Sequence, residues 1–242
     1  MDFHPTQRLL ATGVIDGHLL LHAFDAGAAT ARHRLKAHGG SCRAVRFALS
    51  GDLVYTASTD QSVLAVDVET GQATAQKKGA HDTAINRLAA VGEAVTASGD
   101  DAGTVKLWDS RASDAVASLE PHGDYVSDLA LAGGEHALVS VSGDGTLAVT
   151  DLRTRKVTAR SEGDADDDLL SVAVMRGGKK LVCGTTSGVL AVWSWGYWND
   201  SSDRFPGTAL SQPARQPGQP ACQPACVGRG RGAPAACCEG RL

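Results

Sequence analysis

Apolar and polar positions alternate along the first 206 residues in short runs that are separated by turn residues. Cys42, Val45 and Phe47 mark one such run, and Val126 and Leu129 mark another. Alternation with a period of two predicts half-buried β-strands, and no part of this region shows the 3.6-residue period of an amphipathic helix. The pattern therefore predicts an all-β fold.

The same series of strands and turns recurs along the chain. Five strongly apolar strand segments end at spacings of 44, 42, 42 and 43 residues, at Ala23, Asp67, Asp109, Asp151 and Ser194. Each unit combines two strands, an Asp-led turn, this apolar strand and a short outer strand. Four-stranded units of about 42 residues cannot bury both faces alone, so they predict small sheets that stack around a common axis.

The composition places one boundary near residue 206. We predict a repeat domain over 1–206, with units at about 1–30, 31–74, 75–116, 117–158 and 159–200. Residues 207–242 contain four of the six cysteines and five of the eight prolines, and they have no aromatic residue. Such a segment buries too little apolar surface to offset its ordering entropy, so we predict a disordered tail.

The residues Lys106-Leu107-Trp108-Asp109, with His81 upstream, resemble the WD-repeat pattern of β-propellers. This resemblance implies a buried hydrogen-bond chain within each blade, from a histidine through a strand hydroxyl and a turn aspartate to a strand tryptophan. The residues carried over are His38, Thr56 and Asp60 in the second unit, His81, Ser98 and Trp108 in the third, and His122, Ser140 and Asp144 in the fourth.

Each unit departs from the WD pattern at one position or more. Val66 and Thr150 replace the tryptophan in the second and fourth units, and Ala102 stands at the turn of the third. The fifth unit keeps Trp193, but Cys183 and Ser187 replace its partners. We therefore expect no complete network, and blades that depend on their neighbours for stability.

Longer stretches, including ASGDDAGTVKLWDSR and SVAVMRGGKKLVCGTTSG, resemble the WD repeat-containing protein 55 family from about Met1 to Pro206. The resemblance implies a nuclear and nucleolar role in ribosomal RNA production and ribosome assembly, with the cytoplasm as an alternative location. That family has about seven units, so the resemblance implies that five units here form an incomplete, open arc, and closure into a small five-unit ring is the alternative. We also expect a truncated chain or an imperfect gene model, because the likeness stops at Pro206.

Composition and motifs argue against several functions. The net charge of −4 gives no positive field for nucleic acid, and neither a signal peptide nor an 18-residue apolar run appears, so we expect a protein that is not secreted. No phosphate loop, nucleophile elbow or metal-ligand spacing is present, so we expect no enzyme, cofactor or metal. The acidic run Asp164, Asp166, Asp167 and Asp168 is interpreted as a solvated loop, with a docking site for a basic partner as the alternative.

The predicted functional surface lies where the first strands of the units meet the turns between blades, because loops of a rigid repeat scaffold carry its binding residues. The candidate protein-binding residues there are Arg43, Asn86, Arg87, Tyr125 and Asp128. Arginine and tyrosine are typical anchors at protein interfaces. These residues favour a non-enzymatic scaffold that binds proteins and no small-molecule substrate, and the family resemblance implies pre-ribosomal proteins as its partners.

A second hypothesis comes from Trp108-Asp109-Ser110-Arg111, which resembles the WDxR box. WD-repeat proteins with this box are substrate receptors of the cullin-4 ubiquitin ligase and contact its adaptor through the arginine. The resemblance assigns that contact to Arg111, with Arg153 as a further candidate.

Overall fold

The computed structural model describes residues 1–92, 94–109, 111–112, 114–132, 136–162, 167–199, 201 and 203–206. They form twenty strands and one 3-10 turn. The strands are β1 (Asp2–Phe3), β2 (Leu9–Gly13), β3 (His18–Asp25), β4 (Ala28–Lys36), β5 (Cys42–Phe47), β6 (Leu53–Ser58), β7 (Val63–Asp67), β8 (Ala73–Lys77), β9 (Ile85–Ala90), β10 (Val95–Asp100), β11 (Val105–Asp109), β12 (Ala115–Leu119), β13 (Val126–Ala132), β14 (Ala137–Ser142), β15 (Leu147–Asp151), β16 (Lys156–Arg160), β17 (Leu169–Met175), β18 (Lys180–Thr185), β19 (Val189–Ser194) and β20 (Asp203–Pro206). The 3-10 turn is Arg176–Gly178.

The strands assemble into five antiparallel sheets of four strands each, and within every sheet the strands follow chain order. The predicted all-β class and the five four-stranded units are confirmed. Each sheet ends two to six residues after the predicted unit boundary, because its outer strand continues beyond it; β4, for example, ends at Lys36 and not near residue 30. The predicted tail, 207–242, lies outside the described residues.

Four apolar clusters join the five sheets. The first cluster includes Leu21 of the first sheet and Val54 of the second. Similar clusters join the second sheet to the third, the third to the fourth and the fourth to the fifth. Among the described residues, no cluster of this kind joins the fifth sheet to the first. A closed ring of five sheets needs five such clusters, so the described residues form an open arc.

The last sheet has one partly uncovered face. Val139 and Val149 are paired across two strands of the fourth sheet, and both are buried against the fifth. The residues at the same register in the fifth sheet, Val182 and Val192, are only half-buried. In the described part of the chain, no helix is long and apolar enough to cross a membrane.

Candidate functional site

The third sheet contains a continuous buried chain of side chains. His81 Nδ1 lies 2.8 Å from Oδ2 of Asp100, and His81 Nε2 lies 2.6 Å from Oγ of Ser98. The indole N–H of Trp108 donates to the same Ser98 Oγ at 2.7 Å. The WD pattern has its aspartate at the turn position that Ala102 occupies here, and Asp100 supplies that carboxylate instead. The expectation that this unit has no complete network is therefore wrong.

In the second sheet, a hydroxyl group lies between the histidine and the aspartate. His38 Nε2 lies 2.8 Å from Oγ1 of Thr56, and His38 Nδ1 lies 2.7 Å from Oγ of Ser62. The Ser62 hydroxyl in turn donates to Oδ1 of Asp60 at 2.6 Å. Asp60 Oδ1 is 3.5 Å from His38 Nδ1 and acts on it through Ser62.

The fourth sheet repeats this relay. His122 Nε2 lies 2.7 Å from Oγ of Ser140, and His122 Nδ1 lies 2.8 Å from Oγ1 of Thr146, which donates to Asp144 at 2.5 Å. Asp144 also accepts the backbone N–H of Gly123 at 2.8 Å. In both sheets the second hydroxyl lies six residues after the strand hydroxyl (Thr56 and Ser62, Ser140 and Thr146), but the third sheet has the same spacing at Ser98 and Thr104 without a relay.

The fifth sheet has a buried aspartate, Asp167, two residues before its inner strand β17, whereas the histidines of the second, third and fourth sheets lie four residues before theirs. Asp167 is 7% exposed and accepts the backbone N–H and the hydroxyl of Ser187 at 2.9 and 2.7 Å. The solvated-loop interpretation is therefore wrong for Asp167, because a buried carboxylate needs such donors. Asp168 is half-buried, and Asp164 and Asp166 lie outside the described residues.

These contacts set the charge state of the networks. Burial acts to raise the pKa of Asp60, but the Ser62 hydroxyl and the Gly39 N–H outweigh it and lower the pKa to about 2. Burial likewise opposes the Ser187 donors at Asp167, whose pKa is also lowered to about 2. Burial lowers the pKa of His38, so this ring favours the neutral form. The networks thus hold ionised aspartates, which stabilise the blades.

A bulge occurs at the same place in the inner strand of four sheets. In β5, β9, β13 and β17, two residues face one residue of the neighbouring strand, so one residue in each drops out of the regular pairing. The four residues are Arg43, Asn86, Ser127 and Leu170. Bulges turn side chains out of the regular alternation and are frequent next to binding sites.

All four bulge residues line one cavity of about 550 Å³, together with Arg87, Asp101, Tyr125 and Val126. We call this cavity the bulge cleft. Four of the five residues that the sequence nominated for the inner strands, Arg43, Asn86, Arg87 and Tyr125, thus lie around a single cleft. The fifth, Asp128, lies next to it, with Oδ1 at 3.7 Å from Nε of Arg87.

Polar contacts fix the side chains of the bulge cleft. The guanidinium group of Arg43 donates to the amide oxygen of Asn86 and lies 3.2 Å from Oδ2 of Asp101. The amide N–H of Asn86 donates to the same Asp101 carboxylate. The hydroxyl of Tyr125 lies 3.3 Å from Asp168. A Cβ atom at Gly143 would lie 2.2 Å from the Tyr125 ring, so only glycine leaves room for the ring in this position.

Comparisons with known proteins agree with this architecture. The model of the WDR55 family matches residues 1–212. The chain is 48% identical over 206 residues to WD repeat-containing protein 55 of Arabidopsis thaliana, covering 85% of this chain and 58% of that protein. It is 35% identical over 211 residues to the Homo sapiens protein of the same name, covering 85% and 54%, and 38% identical over 213 residues to WD repeat-containing protein JIP5 of Coprinopsis cinerea, covering 86% and 52%.

The chain belongs to the WD repeat-containing protein 55 family. This confirms the family predicted from the sequence. The chain spans between about half and three fifths of the length of these relatives. The family match extends six residues past Pro206, where the sequence analysis placed its end.

The WDxR residues of this family member divide into a structural and an exposed part. Trp108 is half-buried and bonded to Ser98, and Asp109 accepts the backbone N–H of Arg111 at 3.0 Å. Arg111 and Arg153 are exposed, and Arg153 is held in the same way by Asp151 at 2.8 Å. Ser110 lies outside the described residues.

Two further features concern possible metal ligands and the cysteine thiols of the described residues. Within them, no group of three or more histidine, cysteine or acidic side chains is arranged to hold a metal ion. Cys42 and Cys183 are buried as free thiols. Burial raises their pKa to about 11 and about 12, which suppresses the reactive thiolate.

Proposed function

We propose that this WD-repeat protein is a non-enzymatic scaffold in the nucleolus that binds a protein of the ribosome assembly pathway through the bulge cleft. The observation that carries the binding part of this proposal is the convergence of four bulge residues from four successive sheets on one cavity, and the nucleolar part rests on the family resemblance. A repeat fold of this kind holds its sheets together with one set of residues and presents another set for binding.

The chemistry of the bulge cleft suits a protein surface. Arg43 is 40% exposed at its side chain and Arg87 is 42% exposed, and each is held beside an aspartate. Leu170 is 40% exposed and adds apolar area next to the ring of Tyr125. Preoriented arginine and tyrosine side chains lose little entropy on binding, which is why they dominate interface energies.

The test is co-sedimentation of the tagged protein with pre-ribosomal particles on sucrose gradients. We expect the unsubstituted protein to sediment with the particles and the double variant Arg43→Ala/Asn86→Ala to remain at the top of the gradient. Arg34→Ala, which changes an exposed arginine on the outer strand β4, is the control and is expected to behave like the unsubstituted protein. Equal sedimentation of the double variant, or no sedimentation of any form, contradicts the proposal.

A second candidate function is that of a substrate receptor of the cullin-4 ubiquitin ligase. The observation in its favour is the equivalent placement of Arg111 and Arg153, both exposed after a tight turn that an aspartate caps. We expect Arg111→Ala to lose the ligase adaptor in a pulldown. Arg155→Ala, which changes an exposed arginine two residues after Arg153, is the control and is expected to retain the adaptor. If Arg111→Ala captures the adaptor as well as the unsubstituted protein, this candidate is wrong.

A further inference from the structure

A second cleft lies between the second and third sheets, at the side of the outer strand β8. It has a volume of about 240 Å³, and its lining includes Tyr55, Ala65, Ala75, Thr96 and Trp108. None of its lining residues belongs to the inner strands β5 and β9, so it is separate from the bulge cleft. We call it the wedge cleft.

The wedge cleft exists because small residues fill the space between these two sheets. Five of the eight buried residues in the cluster that joins them are alanines, namely Ala44, Ala48, Ala57, Ala65 and Ala80. The cluster between the first and second sheets uses mainly leucine, valine and phenylalanine. Protein interiors normally pack without voids of this size, so the alanine-rich packing of this junction accounts for the unfilled volume.

Two buried hydroxyls line the wedge cleft without a hydrogen bond of normal length. Tyr55 is 6% exposed and Thr96 is 2% exposed, and among the described residues neither Tyr55 OH nor Thr96 Oγ1 has a partner within 3.5 Å. Burial raises the pKa of Tyr55, and the nearby Thr96 hydroxyl opposes that effect by interacting with the Tyr55 oxygen. An unmade hydrogen bond of a buried polar group costs about 1–3 kcal/mol, so such groups need an explanation.

The repeat shows that the Thr96 hydroxyl is specific to this junction. Thr96 lies two residues before the network hydroxyl Ser98, facing the second sheet. At the same position the second, fourth and fifth sheets carry Val54, Leu138 and Leu181, which are all fully buried. The fold therefore accepts an aliphatic residue here, and the third sheet has a polar one in the lining of the cleft.

We propose that the wedge cleft binds a single aromatic ring that carries one hydrogen-bonding group, the chemistry of a phenol. A cavity of about 150 Å³ holds benzene, and drug-sized ligands need about 300 Å³ or more, so this volume suits one substituted ring. Tyr55 and Trp108 offer aromatic walls, which favour offset or edge-to-face contact with a ring. The exposed Gln76 and Ala112 at the rim leave the cleft open to entry.

The test is titration of the full chain with p-cresol and with toluene, followed by NMR through the indole N–H signals. We expect p-cresol to shift the Trp108 signal and to bind more tightly than toluene. Tyr55→Phe and Thr96→Val remove one hydroxyl each at nearly constant shape and are expected to weaken p-cresol binding about fivefold to tenfold, as loss of one neutral hydrogen bond predicts. Tyr125→Phe, in the bulge cleft, is the matched control and is expected to leave binding unchanged.

Filling the cleft gives an independent check. Ala65→Leu is expected to abolish binding while the protein retains its melting temperature, and Ala75→Leu on the exposed outer strand serves if Ala65→Leu does not fold. N-acetyltyrosinamide separates the two sources of a phenol: binding equal to that of p-cresol indicates a tyrosine of a protein partner, and binding of p-cresol alone indicates a small free phenol. No binding of either, no preference over toluene, or unchanged binding in the filled variant overturns the proposal.

Discussion

The third and fifth sheets have the same strand order and register, but they differ in how their buried polar atoms are paired. In the third, Ser98 accepts from Trp108 and bonds to His81, which reaches Asp100. In the fifth, Cys183 stands at the register of Ser98, and the N–H of Trp193 is buried without a partner among the described residues. The repeat thus tolerates loss of its network where apolar packing is kept, since Cys183 and Trp193 both lie in the core.

The largest effect is expected from Ser98→Ala in the third sheet. This change leaves both His81 Nε2 and the Trp108 N–H without a partner, so it is expected to lower the free energy of unfolding by about 2–4 kcal/mol. Urea unfolding measures this, with Ser118→Ala on the exposed outer strand of the same sheet as a control near zero. A loss below about 1 kcal/mol would mean that the network adds little and that the two sheets do not differ in this respect.

The next effect is the acid-dependent loss of the stability that Asp167 gives to the fifth sheet. The pKa of Asp167 is about 2 in the folded protein and about 3.8 when unfolded, so its stabilisation is present above pH 4 and is lost as the pH falls through 2. We expect the free energy of unfolding, followed by tryptophan fluorescence, to fall between pH 4 and pH 2. Asp167→Asn is expected to be less stable at pH 7 and to have a flatter pH profile in this range. Identical profiles for both proteins would show that Asp167 is not the titrating group.

The smallest expected effect is a gain in the free energy of unfolding. Cys183→Ser introduces an acceptor at the register of Ser98, where the N–H of Trp193 needs one, and is expected to stabilise the protein by up to about 1 kcal/mol. Cys42→Ser is the matched control, since Cys42 is also buried but has no tryptophan N–H to satisfy, and it is expected to destabilise. The melting temperatures of the two variants measure this difference. If both substitutions lower the melting temperature, the prediction that the introduced serine accepts a hydrogen bond from Trp193 is wrong.

The repeat was predictable from the sequence because the strand alternation and the 42-residue spacing are local patterns. The direct His81–Asp100 contact was not, because Asp100 lies at a strand end, two residues before the turn position at which Asp60 and Asp144 lie in their own sheets. The clustering of Arg43 and Tyr125 around one cleft could not be predicted from the sequence either. A bulge changes which way a side chain points, and nothing in the period-two pattern marks it.

The inner-strand bulges have a consequence for how this protein can change. A residue that drops out of the ladder contributes little to sheet pairing, and the four equivalent positions already carry a cation, an amide, a hydroxyl and an aliphatic group at Arg43, Asn86, Ser127 and Leu170. Ser127 is buried and its hydroxyl bonds the backbone of Val141 and Leu169, so this position also holds two sheets together. Simultaneous randomisation of the other three positions would therefore yield a library of new recognition surfaces on one frame.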